Sequence, residues 1–364
     1  MNAALLEASG QPLRIRAIDI RDPGIGQVRV RVHNCGVCHS DLSVADGVFP
    51  CPLPIVLGHE AAGVVDKVGP GVTDLAPGDH VVLTPCPPCG TCYWCLRGEP
   101  TVCINAHGLQ TNALPDGSTG LSLDGEVVYR GIGLGAFAEY VLTPATGAVK
   151  VSADVPLEVA CVIGCAVQTG VGAALNTAKI EEGATVLVVG LGGIGLSILQ
   201  GSRLAGASCI IGVDPLAARR EVAIGFGATH VIDPVNENVA ARLSQLTGVG
   251  VDYAFDAVGR AELIQLCLAM TRTGGTTVCV GAPPMSDVIT IPVPAMFVLS
   301  EKKLLGCALG SSNSLREIPR LIALWQAGRL DLEGLITARR PLAEINEAFA
   351  DMRAGKGIRT VLSV

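Results

Sequence analysis

No uninterrupted apolar run in this 364-residue chain reaches the ~18 residues expected of a membrane-spanning helix. The longest candidate, TVLVVGLGGIGLSILQ, is interrupted by glycines. The opening stretch MNAALLEASGQPLRIRAIDI has no basic segment followed by an apolar block, so no secretory signal is expected. A basic surplus is also missing. The 33 acidic and 26 basic side chains leave a diffuse formal charge of −7, which argues against nucleic acid or an anionic membrane as partner. Charged residues make up only 16% and apolar ones 49%, a balance that excludes global disorder. Internal repeats, low-complexity tracts and long linkers are absent. A soluble cytoplasmic protein is the expectation, with two domains, because single cores stop growing at roughly 250–300 residues.

What is plentiful is glycine, with 45 residues, and cysteine, with 14. Without a secretion signal, so many thiols point to metal binding or catalysis before disulfides. Cys209, Cys267, Cys279 and Cys307 stand alone in apolar strings and read as small core residues. Five others fall between Cys86 and Cys103. Cys89-x2-Cys92-x2-Cys95-x7-Cys103 has the spacing of four thiolates closing on one tetrahedral zinc, a structural site with no open position. Disulfides are the alternative there. Cys86, set apart by Pro87 and Pro88, is left out of the cluster.

The texture of the chain changes near residue 185. Up to about residue 155, alternation such as Val28-Arg29-Val30-Arg31-Val32, broken by Gly and Pro, predicts a β-rich domain. Beyond it, apolar strands at 185–189, 209–213, 230–232, 253–256 and 276–280 alternate with helical stretches. That alternation predicts a doubly wound parallel sheet of the α/β class. Helices at 314–327 and 343–352 and a strand at 359–364 follow.

The first of those strands runs into Gly190-Leu191-Gly192-Gly193-Ile194-Gly195 and then a helix. Gly190 would make the tight turn, Gly192 would let the backbone approach a pyrophosphate, and Gly195 would let helix and strand pack closely. The helix N-terminus offers free N–H groups to the phosphates. Asp214 ends the second strand about 20 residues further on, where a carboxylate binds a ribose diol and repels a 2′-phosphate. The turn therefore reads as a Rossmann dinucleotide site that prefers NAD to NADP. A solvated strand end is the plain alternative for Asp214.

Cys35-x2-Cys38 in CGVCHSD could be a redox pair or half a zinc site. Spacing alone does not connect it to Gly58-His59-Glu60 or to Gly164-Cys165-Ala166-Val167-Gln168-Thr169-Gly170. Together, however, GVCHSD, GHEAAGVV, the four-cysteine run, GC-x3-TG and VVGLGGIG occur in the order of the zinc-containing medium-chain dehydrogenase/reductase family. The resemblance runs from residue 1 to the terminal IRTVLSV, and it is nearest the long-form zinc-dependent alcohol dehydrogenases, with residues 112–130 as their extra segment.

That resemblance implies a GroES-like catalytic domain at 1–166 and 305–364, with the structural zinc lobe at about 86–103, and an NAD-binding Rossmann domain at 167–304. It implies a catalytic zinc on Cys38, His59 and Cys165, with Ser40 at the bound alcohol, Asp41 holding the His59 ring and Glu60 behind the metal. Cofactor contacts carry over to His39, Thr169, Gly193, Ile194, Arg219, Val258, Arg260, Val280, Gly281, Ala282 and Arg359. A plain surface role is the alternative for His39 and Arg219. Ser43 stands where many relatives end their proton relay with histidine. The pocket is expected at Phe49, Pro85, Gly131, Ile132 and Leu305, with Pro85 and Gly131 replacing bulky aromatics and so widening it.

The implied reaction is reversible oxidation of primary or secondary alcohols, of medium to bulky apolar kind, with hydride passing to NAD in a homodimer or homotetramer. One competing reading is a glutathione- or mycothiol-type formaldehyde dehydrogenase. The glutathione type is disfavoured by His107, where that activity uses arginine, and by the absence of acids in residues 47–54, whereas these residues exclude a mycothiol type less readily. Another is a non-catalytic NAD-binding zinc protein, disfavoured because all three catalytic ligands are present.

Overall fold

Alternating valines bury one face of a 10-residue strand, Gln27–Gly36, while Arg31 and His33 stay outside. A computed structural model describes the whole chain except Pro292 and the side chain of His107. In it, Gln27–Gly36 pairs antiparallel with Glu60–Val68, Tyr140–Pro144 and Arg359–Ser363. The registers place Gly36 opposite Glu60 on one side and Val361 opposite Gly36 on the other. Three strand ends that are remote in sequence are therefore hydrogen-bonded neighbours just before Cys38.

The chain divides into two units. The first comprises Met1–Ala166 and Ser312–Val364, and the second Val167–Ser311. The first is β-rich, with a six-stranded and a seven-stranded sheet around a core that includes Leu5, Val30, Leu57, Phe137 and Phe349. The return to this unit comes at Ser312 where 305 was expected. The reason is that Lys303–Gly306 pairs parallel with Thr271–Cys279 as the last strand of the second unit's sheet.

The second unit is the doubly wound sheet. Its six parallel strands lie in the order 230–232, 209–213, 185–189, 251–256, 271–279, 303–306. The order reverses beside Thr185–Val189, and ligands of such sheets bind outside the carboxyl ends of the strands at that reversal. Strands expected at 253–256 and 276–280 are observed as Val251–Asp256 and Thr271–Cys279. Pairing of Val251 with Thr271 extends both at their amino ends through an irregularity. The later helices form at Ser314–Gln326 and Ile345–Arg353, with the final strand at Arg359–Ser363. Among the described residues no single helix is long and apolar enough to cross a membrane.

Candidate active site

Cys38 leaves the strand Gln27–Gly36 and precedes the helix His39–Ala45. His59 stands immediately before the strand Glu60–Val68, and Cys165 follows the one-turn helix Cys161–Gly164. Their ligand atoms lie within 4.8 Å of one another. Asp41, fully buried, accepts from Gly58 N at 2.9 Å and Cys38 N at 3.3 Å, and its Oδ1 lies 3.1 Å from His59 Nδ1. That contact makes Nδ1 the protonated ring nitrogen and leaves Nε2 for a metal. Ser40 Oγ sits 3.9 Å from Cys38 Sγ.

Behind this group, Glu60 is 0% exposed; its Oε1 accepts from Ala166 N at 2.8 Å and its Oε2 has no hydrogen-bond partner. Arg359 Nη1 lies 3.4 Å from that oxygen and donates to Val37 O at 2.7 Å. Burial raises the Glu60 carboxyl to about 7 against the pull of Arg359. A hydrogen bond from Cys165 holds the Cys38 thiol well below its usual range, and the same bond raises Cys165. Burial lowers His59, but Asp41 and Cys38 together push it well above its ordinary value. Two sulfurs, an imidazole and two buried carboxyls crowded in this way form a donor set that a divalent cation satisfies, and soft S2N ligation suits zinc.

The second cluster is local. Cys89, Cys92, Cys95 and Cys103 place four sulfurs within 4.8 Å, and Cys86 is not among them. Cys103 Sγ accepts from Cys89 N at 3.2 Å and Asn105 N at 3.4 Å, and Cys89 Sγ accepts from Cys92 N at 3.3 Å. Backbone N–H groups aimed at sulfur favour thiolate, the form that binds metal. Cys89 is lowered to about 6, first by the hydrogen bond its sulfur accepts from the Thr91 backbone, whereas burial outweighs the N–H donors at Cys103 and raises it to about 12, as it does Cys86. All 14 cysteines are free of disulfides.

In the second unit, Gly190 has φ +90°, and a Cβ on Gly195 would lie 1.8 Å from Gly190 O, so the turn and the close approach both require glycine. At Gly192 an added Cβ meets nothing within 4 Å, and this open space lies at the N-cap of the helix Gly193–Leu204, where a pyrophosphate has room. Asp214 is only 3% exposed, not a solvated strand end. It accepts from Leu191 N and Leu216 N, both at 2.9 Å, and Arg219 Nη1 lies 3.7 Å away. These bonds leave carboxylate lone pairs for a ribose diol. Arg219 Nε is buried with no hydrogen-bond partner. The residues present fit a dinucleotide.

The remaining candidates scatter. His39 is exposed on the first turn of its helix, and Thr169 belongs to the second unit. Arg359, expected at a pyrophosphate, is 5% exposed and committed to Val37 O and Glu60; sequence reasoning missed that pairing, for which it had no local signal. Ser43 is half-buried on the helix His39–Ala45. Phe49 and Ile132 are partly buried against the first unit's core, and Pro85 is buried. Leu305 falls in the second unit.

Gly131 does not widen a pocket in the way its residue type led one to expect. A Cβ there would meet Leu57 Cδ2 at 2.6 Å and Val56 O at 3.0 Å, so its missing side chain points into packed protein and opens no pocket. The His107 side chain lies outside the described residues. A cleft of about 1030 Å³ in the first unit is lined by Arg21, Ile104, Leu114, Thr119 and Tyr129 and includes none of the predicted site residues.

Residues 24–153 match the alcohol dehydrogenase GroES-like domain, and residues 193–324 match the zinc-binding dehydrogenase family. S-(hydroxymethyl)glutathione dehydrogenase from Paracoccus denitrificans is 38% identical over 372 residues, covering 99% of this chain and 98% of that protein. Among solved structures, an alcohol dehydrogenase zinc-binding domain protein from Burkholderia ambifaria aligns with TM-score 0.94 at 36% identity, covering 100% of this chain and 98% of that one. Benzyl alcohol dehydrogenase from Acinetobacter calcoaceticus aligns with TM-score 0.93 at 34% identity, covering 100% and 99%. The chain therefore belongs to the zinc-containing medium-chain dehydrogenase/reductase family. It is an NAD-dependent oxidoreductase of the alcohol dehydrogenase kind, and zinc is its metal.

Proposed function

We propose that this dehydrogenase acts on medium-sized to bulky apolar alcohols, benzylic ones included, and runs reversibly to the aldehyde or ketone. The observation that carries the reading is the Cys38–His59–Cys165 group, with Cys38 and His59 buried, Cys165 half-buried and Asp41 on His59 Nδ1. These three side chains would hold a catalytic zinc, which supplies a Lewis acid that lowers the pKa of a hydroxyl oxygen. Asp41 fixes the His59 ring and its tautomer. Ser40 Oγ accepts the substrate hydroxyl's hydrogen bond and passes its proton outward, with Ser43 on the same helix able to relay but not to act as a base near neutral pH. Glu60, held by Ala166 N and Arg359, places a buried carboxyl behind the ligands. Cys89, Cys92, Cys95 and Cys103 would hold a second, structural zinc.

Asp214 would select NAD by binding the ribose diol, with Arg219 beside it, while the backbone of Gly190–Gly195 carries the pyrophosphate. The apolar side chains of Phe49 and Ile132 and the similarity to a benzyl alcohol dehydrogenase support the substrate class. We also propose a cytoplasmic homo-oligomer. Met285, Val293, Met296, Val298 and Leu299 are between 54% and 84% exposed, ahead of the sheet's edge strand Lys303–Gly306. Such an exposed apolar stretch favours a partner copy.

The test is an initial-rate comparison of ethanol with benzylic, cyclic and medium-chain alcohols under saturating NAD. The larger alcohols should exceed ethanol in kcat/KM at least about tenfold, equivalent to ~1.4 kcal/mol of transition-state binding. A peak at ethanol that falls steadily with chain length refutes the substrate class. A second reading, thiol-dependent formaldehyde oxidation, has the Paracoccus relative in its favour. It requires that formaldehyde turnover depend on added glutathione or mycothiol.

A further inference from the structure

Asp256 ends the strand Val251–Asp256 at the carboxyl edge of the parallel sheet and is 0% exposed. Its Oδ1 accepts from Val258 N at 3.1 Å and Gly259 N at 3.3 Å, and its Oδ2 accepts from Gly259 N at 3.0 Å. Its main-chain carbonyl accepts from Val280 N and Gly281 N, both at 3.0 Å. One residue thus ties the loop 257–260 to the loop 280–282.

The two loops lie backbone against backbone. A Cβ on Gly281 would come within 2.1 Å of Gly259 N, and a Cβ on Gly259 within 2.7 Å of Ala282 main-chain atoms. The same loop reaches the dinucleotide turn, since Val258 Cγ2 lies 2.4 Å from where Gly190 would carry a Cβ. With so little slack, a shift of Val258 moves the surface on which the cofactor rests.

We propose that Asp256 is a positioning residue for the cofactor: its ionised carboxylate holds loops 257–260 and 280–282 in the shape that receives the dinucleotide, so affinity for NAD(H) follows its charge. This rests on the reading of the second unit as the NAD site.

Protonating one oxygen turns an acceptor into a donor facing N–H groups, and a bond to Gly259 or Val258 is lost. Burial is the largest influence on this carboxyl and raises it to about 6, against the N–H bonds from Val258, Gly259 and Arg260. The neighbouring strand Thr271–Cys279 contributes Cys279, and the helix Ala261–Met270 contributes Glu262 and Cys267. Arg260 pairs with Glu262, and Asp287 Oδ2 accepts from Ala261 N. Strand Thr185–Val189 brings no titratable group to it.

The two consequences of ionisation have opposite signs. An acid whose pKa is raised by folding favours the fold below its unfolded pKa, and that contribution is lost as pH rises through about 6. Cofactor affinity is instead gained over the same rise. A residue kept only for stability does not behave this way.

The experiment is a fluorescence titration of the zinc-loaded enzyme with NADH between about pH 5 and 8, on wild type and Asp256→Asn, together with kcat and KM for NAD. Wild-type Kd should weaken at least about fivefold below pH 6. Asp256→Asn should bind about fivefold more weakly at every pH with a flat profile, with kcat within about twofold and no loss of Tm near neutral pH. A wild-type Kd that varies less than about twofold overturns the proposal, and this arm stands if the variant fails to fold. So does an Asn variant with the wild-type Kd and profile. Failure of the wild type to bind NADH at any pH refutes the NAD-site reading itself, whereas normal binding with a flat profile removes only the role of Asp256.

Discussion

His59 shows how much one side chain depends on its neighbour. Its ring is 2% exposed and can present Nε2 to a metal only while Nδ1 carries the proton, and Asp41 is the group that keeps it there. The same carboxylate also takes the N–H groups of Gly58 and Cys38, so it joins the turn before one ligand to the backbone of another. Asp41→Asn keeps the size but offers an amide N–H to one of these donors. We expect kcat/KM to fall about 10- to 100-fold, with zinc affinity weakened and the fold retained. Turnover and metal content measured together check this; unchanged kcat/KM would remove Asp41 from the site. Asp41 and His59 were legible as partners only through family resemblance, because 18 residues separate them in sequence.

At the scale of the element, the four-cysteine segment has little regular structure of its own to hold it. Its helix, Tyr93–Leu96, has 4 residues and no buried side chain. A helix that short does not form in water without outside support, since nucleation outweighs the few bonds gained. The sulfurs with their N–H donors supply that support when they close on zinc. Cys103→Ser should remove one zinc, lower Tm by several degrees, equivalent to roughly 2 kcal/mol or more, and expose the segment to proteolysis while the remaining zinc stays bound. Thermal unfolding and metal analysis of the purified variant check it. This element could be read in advance because its ligands fall within a short stretch, where chain geometry alone limits the possibilities. The edge strand Lys303–Gly306 could not be. It has no alternation, and only pairing with Thr271–Cys279 defines it, which is why the boundary between units moved to Ser312.

For the whole molecule, the two clusters imply a stoichiometry. The native enzyme should hold two zincs per chain, and stripping the more labile one should abolish turnover before the protein unfolds. Metal analysis paired with activity is the measurement; full activity with at most one zinc per chain would mean that one cluster is not a metal site. Two thiolates neutralise a zinc on Cys38, His59 and Cys165, whereas four leave the second site at about −2, so loading both would take the formal charge from −7 to about −9.

Features set within a few residues or by regular repetition were legible in the chain: the glycine turn after an apolar strand, the alternation of the parallel sheet, and the closely spaced cysteines at 89–103. Each depends on local chain geometry, which is the same wherever such a pattern occurs. Which distant groups meet was settled by the packing of the folded chain. Cys38, His59 and Arg359 converge because hydrogen-bond register sets Gly36 against Glu60 and Val361 against Gly36. Register is a property of paired strands, and a slip of one residue would turn every side chain to the other face. The same limit explains Gly131 and Asp256. Whether an absent side chain leaves space depends on Leu57 lying beside it, and whether an aspartate at a strand end holds two loops depends on how those loops pack.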